Sequence, residues 1–134
     1  MLTIPIEKLA FIIEKAREFD AEVALVNEDS GPAGPEEDIE DILEDTRSNP
    51  TYRELAGALD ALNEDERSEM VALMWLGRGD FTKKEWNKGL AQARERHNGR
   101  ERQYLMGTPL LSDYLEEAVS QLGYSLEEFE LGRL

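Results

Sequence analysis

Met70-Val71-Ala72-Leu73-Met74-Trp75-Leu76 is the stretch on which the fold turns. An unbroken apolar run leaves a helix without a polar face, and such a helix is stable in water only when others surround it. The run is far short of the roughly 20 residues that cross a bilayer as a helix. It therefore reads as the central helix of a bundle. Asn63 and Glu66, at capping-box spacing, open it, and Gly77 and Gly79 are expected to end it.

Helical periodicity continues on both sides. Downstream, Thr82 and Glu85 form a second capping box, with Phe81 and Trp86 placed as a hydrophobic staple. Trp86, Leu90, Ala93 and His97 then follow at spacings that make one narrow face, until Asn98-Gly99 stops the helix. Thr108 as N-cap and Pro109 as first helical residue predict another helix, with Leu111, Leu115, Ala118 and Leu122 on its apolar face. Ser125 to Glu128 predicts a last short turn.

Upstream, Ser48-Asn49-Pro50 starts a helix whose capping box is read at Thr51 and Glu54, with Leu55 and Leu59 in its stripe. The first helix runs from about Pro5 into the low twenties, burying Leu9, Ile13 and Phe19. Residues 27–48 read as an acidic loop followed by a short helix around 36–45, anchored only by Ile39, Ile42 and Leu43. No stretch alternates as a strand does. The expected fold is all-α, a single compact domain over residues 1–134, built as a bundle of five or six helices with short capped turns.

Composition narrows the function classes. The 134 residues contain no cysteine, which removes disulfides, thiolate nucleophiles and Cys-based metal sites. Met1 to Glu7 carries neither a basic nor a long apolar signal region, so a soluble cytoplasmic protein is expected, with no membrane partner. The formal charge is -15. Residues 28–67 hold 14 acids against 3 bases, while residues 78–104 hold 8 bases against 4 acids. A chain so acidic repels polyanions, so nucleic acid is not expected as a partner and the basic segment is read as complementing the acidic one.

Several segments resemble a known family. Lys15-Ala-Arg-Glu-Phe-Asp20, Leu62 to Glu66, Val71 to Asp80, His97-Asn98 and the run from Tyr104 to Glu117 are similar to the bacterial domain-of-unknown-function family 3775. The resemblance spans nearly the whole chain. It implies a bacterial protein and carries over no activity and no catalytic residues.

The turn from Leu76 to Glu85 has the Gly, apolar and Glu spacing of the second half of a calcium loop. Its positions one, three and five would be Met74, Leu76 and Arg78, none of them a carboxylate, so it reads as a tight helix–turn–helix corner. His97 is the single histidine, and a general base there would need Asp80 or a glutamate to orient it. With no nucleophile partner in view, a histidine in the last turn of a helix is better explained by the negative end of the dipole.

No residue set implies a catalytic triad, a metal or a cofactor. The expectation is a non-enzymatic acidic interaction domain, working as a homodimer or docking a basic protein. The alternative is a small-ligand binder or an unrecognised enzyme. The candidate ligand or interaction site for that alternative gathers Arg78, Asp80, His97, Asn98, Arg100 and Tyr104.

Overall fold

The computed structural model describes residues 2–29, 49–96 and 99–124. The expected acidic helix at 36–45 and the turn at 125–128 lie outside them. Among the described residues there are six α-helices and no strand, as the periodicity predicts: α1 (Ile6–Asp29), α2 (Pro50–Asp60), α3 (Glu64–Arg78), α4 (Trp86–Glu95), α5 (Glu101–Met106) and α6 (Leu111–Gln121). A single 3-10 turn, Lys83–Glu85, leads into α4. No helix among these residues is long and apolar enough to cross a membrane.

The apolar run forms the centre. Every residue from Ser68 to Leu76 is buried, and α3 packs against α4, α5 and α6, while α1 packs against α2 and α6. Leu9, Ile13, Leu55, Leu59, Trp86, Leu90, Leu111 and Leu115 join the same core, with Leu122 only partly covered at its edge. The Asn63–Glu66 capping box is formed in both directions, with Asn63 Oδ1 accepting from the Glu66 amide at 2.8 Å and Glu66 Oε1 accepting from the Asn63 amide at 3.0 Å.

Gly77 does not end α3. The helix continues through it to Arg78 and closes at Gly79, whose φ of 92° is the left-handed cap that a glycine adopts without strain. Gly77 instead lets α6 approach, because a Cβ there would fall inside the Tyr114 carbonyl group. This contact joins the backbones of α3 and α6 at their crossing.

Three helix starts depend on carboxylates from other helices. Glu69 of α3, 1 % exposed, accepts from the amides of Thr3 at 2.8 Å and Ile4 at 3.2 Å and from the Thr3 hydroxyl, which ties down the entry to α1. Glu22 of α1 accepts from Asn49 Nδ2 at 2.6 Å and from the Thr51 hydroxyl at 3.2 Å. Asn49 is in turn the N-cap of α2, taking the Thr51 amide at 2.6 Å with Pro50 at the first position. The expected Thr51–Glu54 box therefore does not form, since Glu54 pairs with Lys15 at 2.6 Å across the α1–α2 contact.

The third case moves a boundary. Asp20 of α1 accepts from the Ser112 amide at 3.0 Å and its hydroxyl at 2.8 Å, so α6 begins at Leu111 and not at Pro109. Thr108 serves the preceding helix, α5, which the sequence reading had left out: its hydroxyl donates to the Tyr104 carbonyl at 2.9 Å. Leu110 between them takes a φ of 61°, a left-handed conformation that costs a leucine about 1–2 kcal/mol. At the other end, α1 runs three residues into the expected loop, to Asp29, because no glycine or proline interrupts it before Gly31.

Two variants probe these contacts. Gly77→Ala should lower stability in a denaturant titration by about 1–3 kcal/mol through overpacking against α6. An exposed helical site would instead gain up to about 1 kcal/mol from the same change, so a gain here would refute the close crossing.

Asp20→Asn tests the α6 cap. Burial raises the Asp20 pKa, against the lowering effect of the Ser112 hydrogen bonds. A raised native value means that the acid form stabilises the fold at low pH and that this contribution is lost as pH rises through the native value. Asparagine keeps an acceptor and never ionises, so the variant's Tm relative to the parent should climb between about pH 3 and pH 6, through the carboxylate range. A constant difference would mean that Asp20 does not titrate in contact with Ser112.

Candidate functional site

The C-terminal end of α3 and the whole of α4 frame a cleft of about 300 Å³. Gly79 reverses the chain, Asp80 donates its amide to the Trp75 carbonyl at 2.9 Å, and the Thr82–Glu85 capping box turns the backbone into α4. Glu85 Oε1 accepts from the Thr82 amide at 3.0 Å and its hydroxyl at 3.1 Å, and these bonds hold its carboxyl below the usual range. The expected staple is present, with the Phe81 and Trp86 rings 6.4 Å apart. Phe81 also lies directly on Gly89, where a Cβ would meet its ring. A side chain at 89 would push that ring into the cleft.

One wall of the cleft belongs to α4. Lys88, Gln92 and Arg96 recur every four residues, so they line up along one strip of the helix, about 6 Å apart along the axis. Trp86, Leu90 and Ala93 occupy the neighbouring, buried strip. All three cleft-facing residues are exposed.

The facing wall is a hydrogen-bonded network. Trp75 Nε1 donates to the Tyr104 hydroxyl at 2.9 Å, and Arg78, whose pKa is raised chiefly by Asp80, also feels the same phenol. Arg78 donates from Nε at 3.0 Å and Nη2 at 2.6 Å to one oxygen of Asp80. The Arg96 guanidinium bridges the two walls, 5.8 Å from the Trp75 ring centroid. Beyond Arg96 and Tyr104 a second hollow of about 210 Å³ reaches Val71, Ala93 and the buried Glu101.

Of the residues proposed from sequence, the fold brings Arg78, Asp80 and Tyr104 together in the cleft. Arg100 stands just before α5 and does not line it. His97 and Asn98 lie outside the described residues. The sequence assigns Trp75 to the core, Phe81 to the staple, and Lys88 and Arg96 to the basic segment read as complementing the acidic one; it does not single out Gln92. The four-residue recurrence of these polar side chains beside the buried strip was the available signal.

The basic segment is partly neutralised within the chain. Arg102 donates to Asp60 at 2.9 Å, and Arg94 approaches Asp65 at 3.9 Å, both acids belonging to the 28–67 segment. These pairs sit at the exposed ends of α2 and α3, where each is worth at most about 1 kcal/mol. Among the described residues neither Lys88 nor Arg96 forms a salt bridge, although Lys88 lies close enough to Glu85 to help lower its pKa.

A family model described as a protein of unknown function, DUF3775, matches residues 52–124. The match takes in every residue of the cleft and leaves out Lys15 to Asp20, so it is narrower than the resemblance read from the sequence. No curated protein and no solved structure matches the chain.

Tyr104→Phe isolates the network. It removes the acceptor of the Trp75 indole N–H, and an unpaired buried donor costs about 1–3 kcal/mol. Trp75 is 7 % exposed, so thermal stability should fall and its fluorescence should change with it. A variant as stable as the parent, with unchanged emission, would show the bond to be dispensable.

Proposed function

The chain belongs to the DUF3775 family of proteins of unknown function, and from its cleft we propose that it acts as a non-enzymatic binding domain that takes a small ligand between α4 and the Trp75–Tyr104–Arg78 network. One observation carries this reading: residues from α3, the Phe81 turn, α4 and α5 converge on a single hollow of about 300 Å³. That volume is at the lower end for small-molecule sites, and a few placed polar groups on a partly aromatic wall are what such sites present.

The carboxylates of the cleft support binding over catalysis. Asp80 is already engaged by Arg78, and the Thr82 hydrogen bonds lower the Glu85 pKa, away from the neutral range that suits a general base. We propose a bacterial cytoplasm as its setting, in keeping with the family resemblance and the absence of cysteine. Docking of a basic protein, or of a second copy, on the acidic side of the molecule ranks second, since the charge of residues 28–67 is what favours it.

A fragment library containing neutral, anionic and cationic compounds, followed by amide chemical shifts, tests the choice. Hits should cluster on residues 75–104. Hits confined to the apolar groove between α1 and α2, around Phe11, Ala58 and Leu62, would move the site. A dimer that dissociates as salt is added, with no hits in the cleft, would favour the interaction reading.

A further inference from the structure

The cleft's charged groups are not equally available to a ligand. Asp80 is consumed by Arg78, and Glu85 is turned onto the Thr82 amide and hydroxyl. Lys88, which shares only a longer-range attraction with Glu85, and Arg96 form no salt bridge among the described residues; they stand two turns apart along α4 and its C-cap, with the Gln92 amide between them. The long side chains of lysine and arginine can converge across that distance on one anionic group, and arginine adds a planar pair of donors that matches a carboxylate or phosphate.

The rest of the lining is aromatic. The Phe81 ring rests on Gly89, and Trp75 and Tyr104 form the opposite side. Aromatic faces favour a flat partner. The net charge of -15 works against polyanions, whose many charges feel the field of the whole molecule, whereas one anionic group feels chiefly the two nearest cations.

Resting on the cleft as the binding site, we propose that its ligand is a small aromatic acid, with one or two rings, whose anionic group is held between Lys88 and Arg96. The ring lies between Phe81 on one side and Trp75 and Tyr104 on the other, and Gln92 hydrogen-bonds the anion from between the two cations. Carboxylate and phosphate share this chemistry, and the probes below separate them.

The full chain is titrated with benzoate, phenyl phosphate, benzamide and benzylamine, followed by the amide shifts of residues 75–104 and the Trp75 indole signal. Benzoate or phenyl phosphate should bind at the cleft about tenfold or more tightly than benzamide, as expected for one charge-assisted contact. The tighter of the two identifies the anion. Lys88→Met and Arg96→Met, at exposed positions, should each remove most of that preference, so that the anions no longer bind more tightly than benzamide to the same variant. Gly89→Ala should weaken all four probes by driving the Phe81 ring into the space they occupy.

If benzamide or benzylamine binds at the cleft as well as the anions do, the aromatic-acid assignment is overturned and the cleft remains a binding site. If Lys88→Met and Arg96→Met leave the anion's affinity untouched, the assignment also fails. If no probe shifts residues 75–104, both the assignment and the binding reading of the cleft fall together.

Discussion

Everything in this chain answers to the need to cover α3 on all sides. A seven-residue apolar run loses roughly 25 cal/mol for each Å² of its surface left in water, which no single neighbouring helix can prevent. The chain therefore wraps α3 with α4, α5 and α6, and α1 closes the core through α6. Close approach matters as much as apolar character. Gly77 brings the α6 backbone to within contact of α3, and a helix with any side chain at that position would stand further off and leave a void.

Wrapping a central helix with short ones creates many helix ends, and each start leaves amide groups to be satisfied. This protein meets part of that demand with carboxylates from neighbouring helices, Glu69 at the entry to α1 and Asp20 at α6, while Glu22 steadies the Asn49 cap of α2 by accepting from its side-chain amide. An acidic side chain at a helix N-terminus also meets the positive end of the dipole. Some of the chain's acidity is thus structural. Glu69 can be buried because the Thr3 and Ile4 amides and the Thr3 hydroxyl replace the water it gives up. These links tie distant parts of the sequence together and fix helix starts that local propensity leaves open.

That division explains what could be read in advance. The central helix, the Asn63–Glu66 and Thr82–Glu85 capping boxes and the Phe81–Trp86 staple are encoded by residues a few positions apart, and their spacing revealed them. The start of α6 was misplaced because Thr108-Pro109 is a good local signal and Asp20, 92 residues away from Ser112, overrides it. Thr51–Glu54 failed as a cap for the same reason, with Glu54 drawn to Lys15 and Thr51 to Glu22. In the candidate site, Arg78 and Asp80 were legible as a turn pair and Tyr104 as a residue of a recognised motif. Trp75 was legible only as core, because sequence does not reveal which edge of a buried ring a cleft will reach.

The position of the cleft follows from the same constraint. At the C-terminal end of α3 the chain must turn at Gly79 before α4 can lie alongside, and α5, which packs there through Tyr104, has only six residues. Trp75 is left with one edge toward that gap. A bare indole there would expose apolar surface, and the gap is instead closed by polar groups that satisfy it: the Tyr104 phenol on Nε1 and the Arg96 guanidinium over the ring. Both are exposed side chains whose tips, not only their stems, are held against Trp75. A ligand that offers Arg96 an anion and offers Trp75 or Tyr104 a flat face replaces these contacts with stronger ones of the same kind. The fold thus gathers an indole edge, a phenol and a guanidinium near the C-terminal end of α3, and the proposed aromatic-anion site rests on these groups.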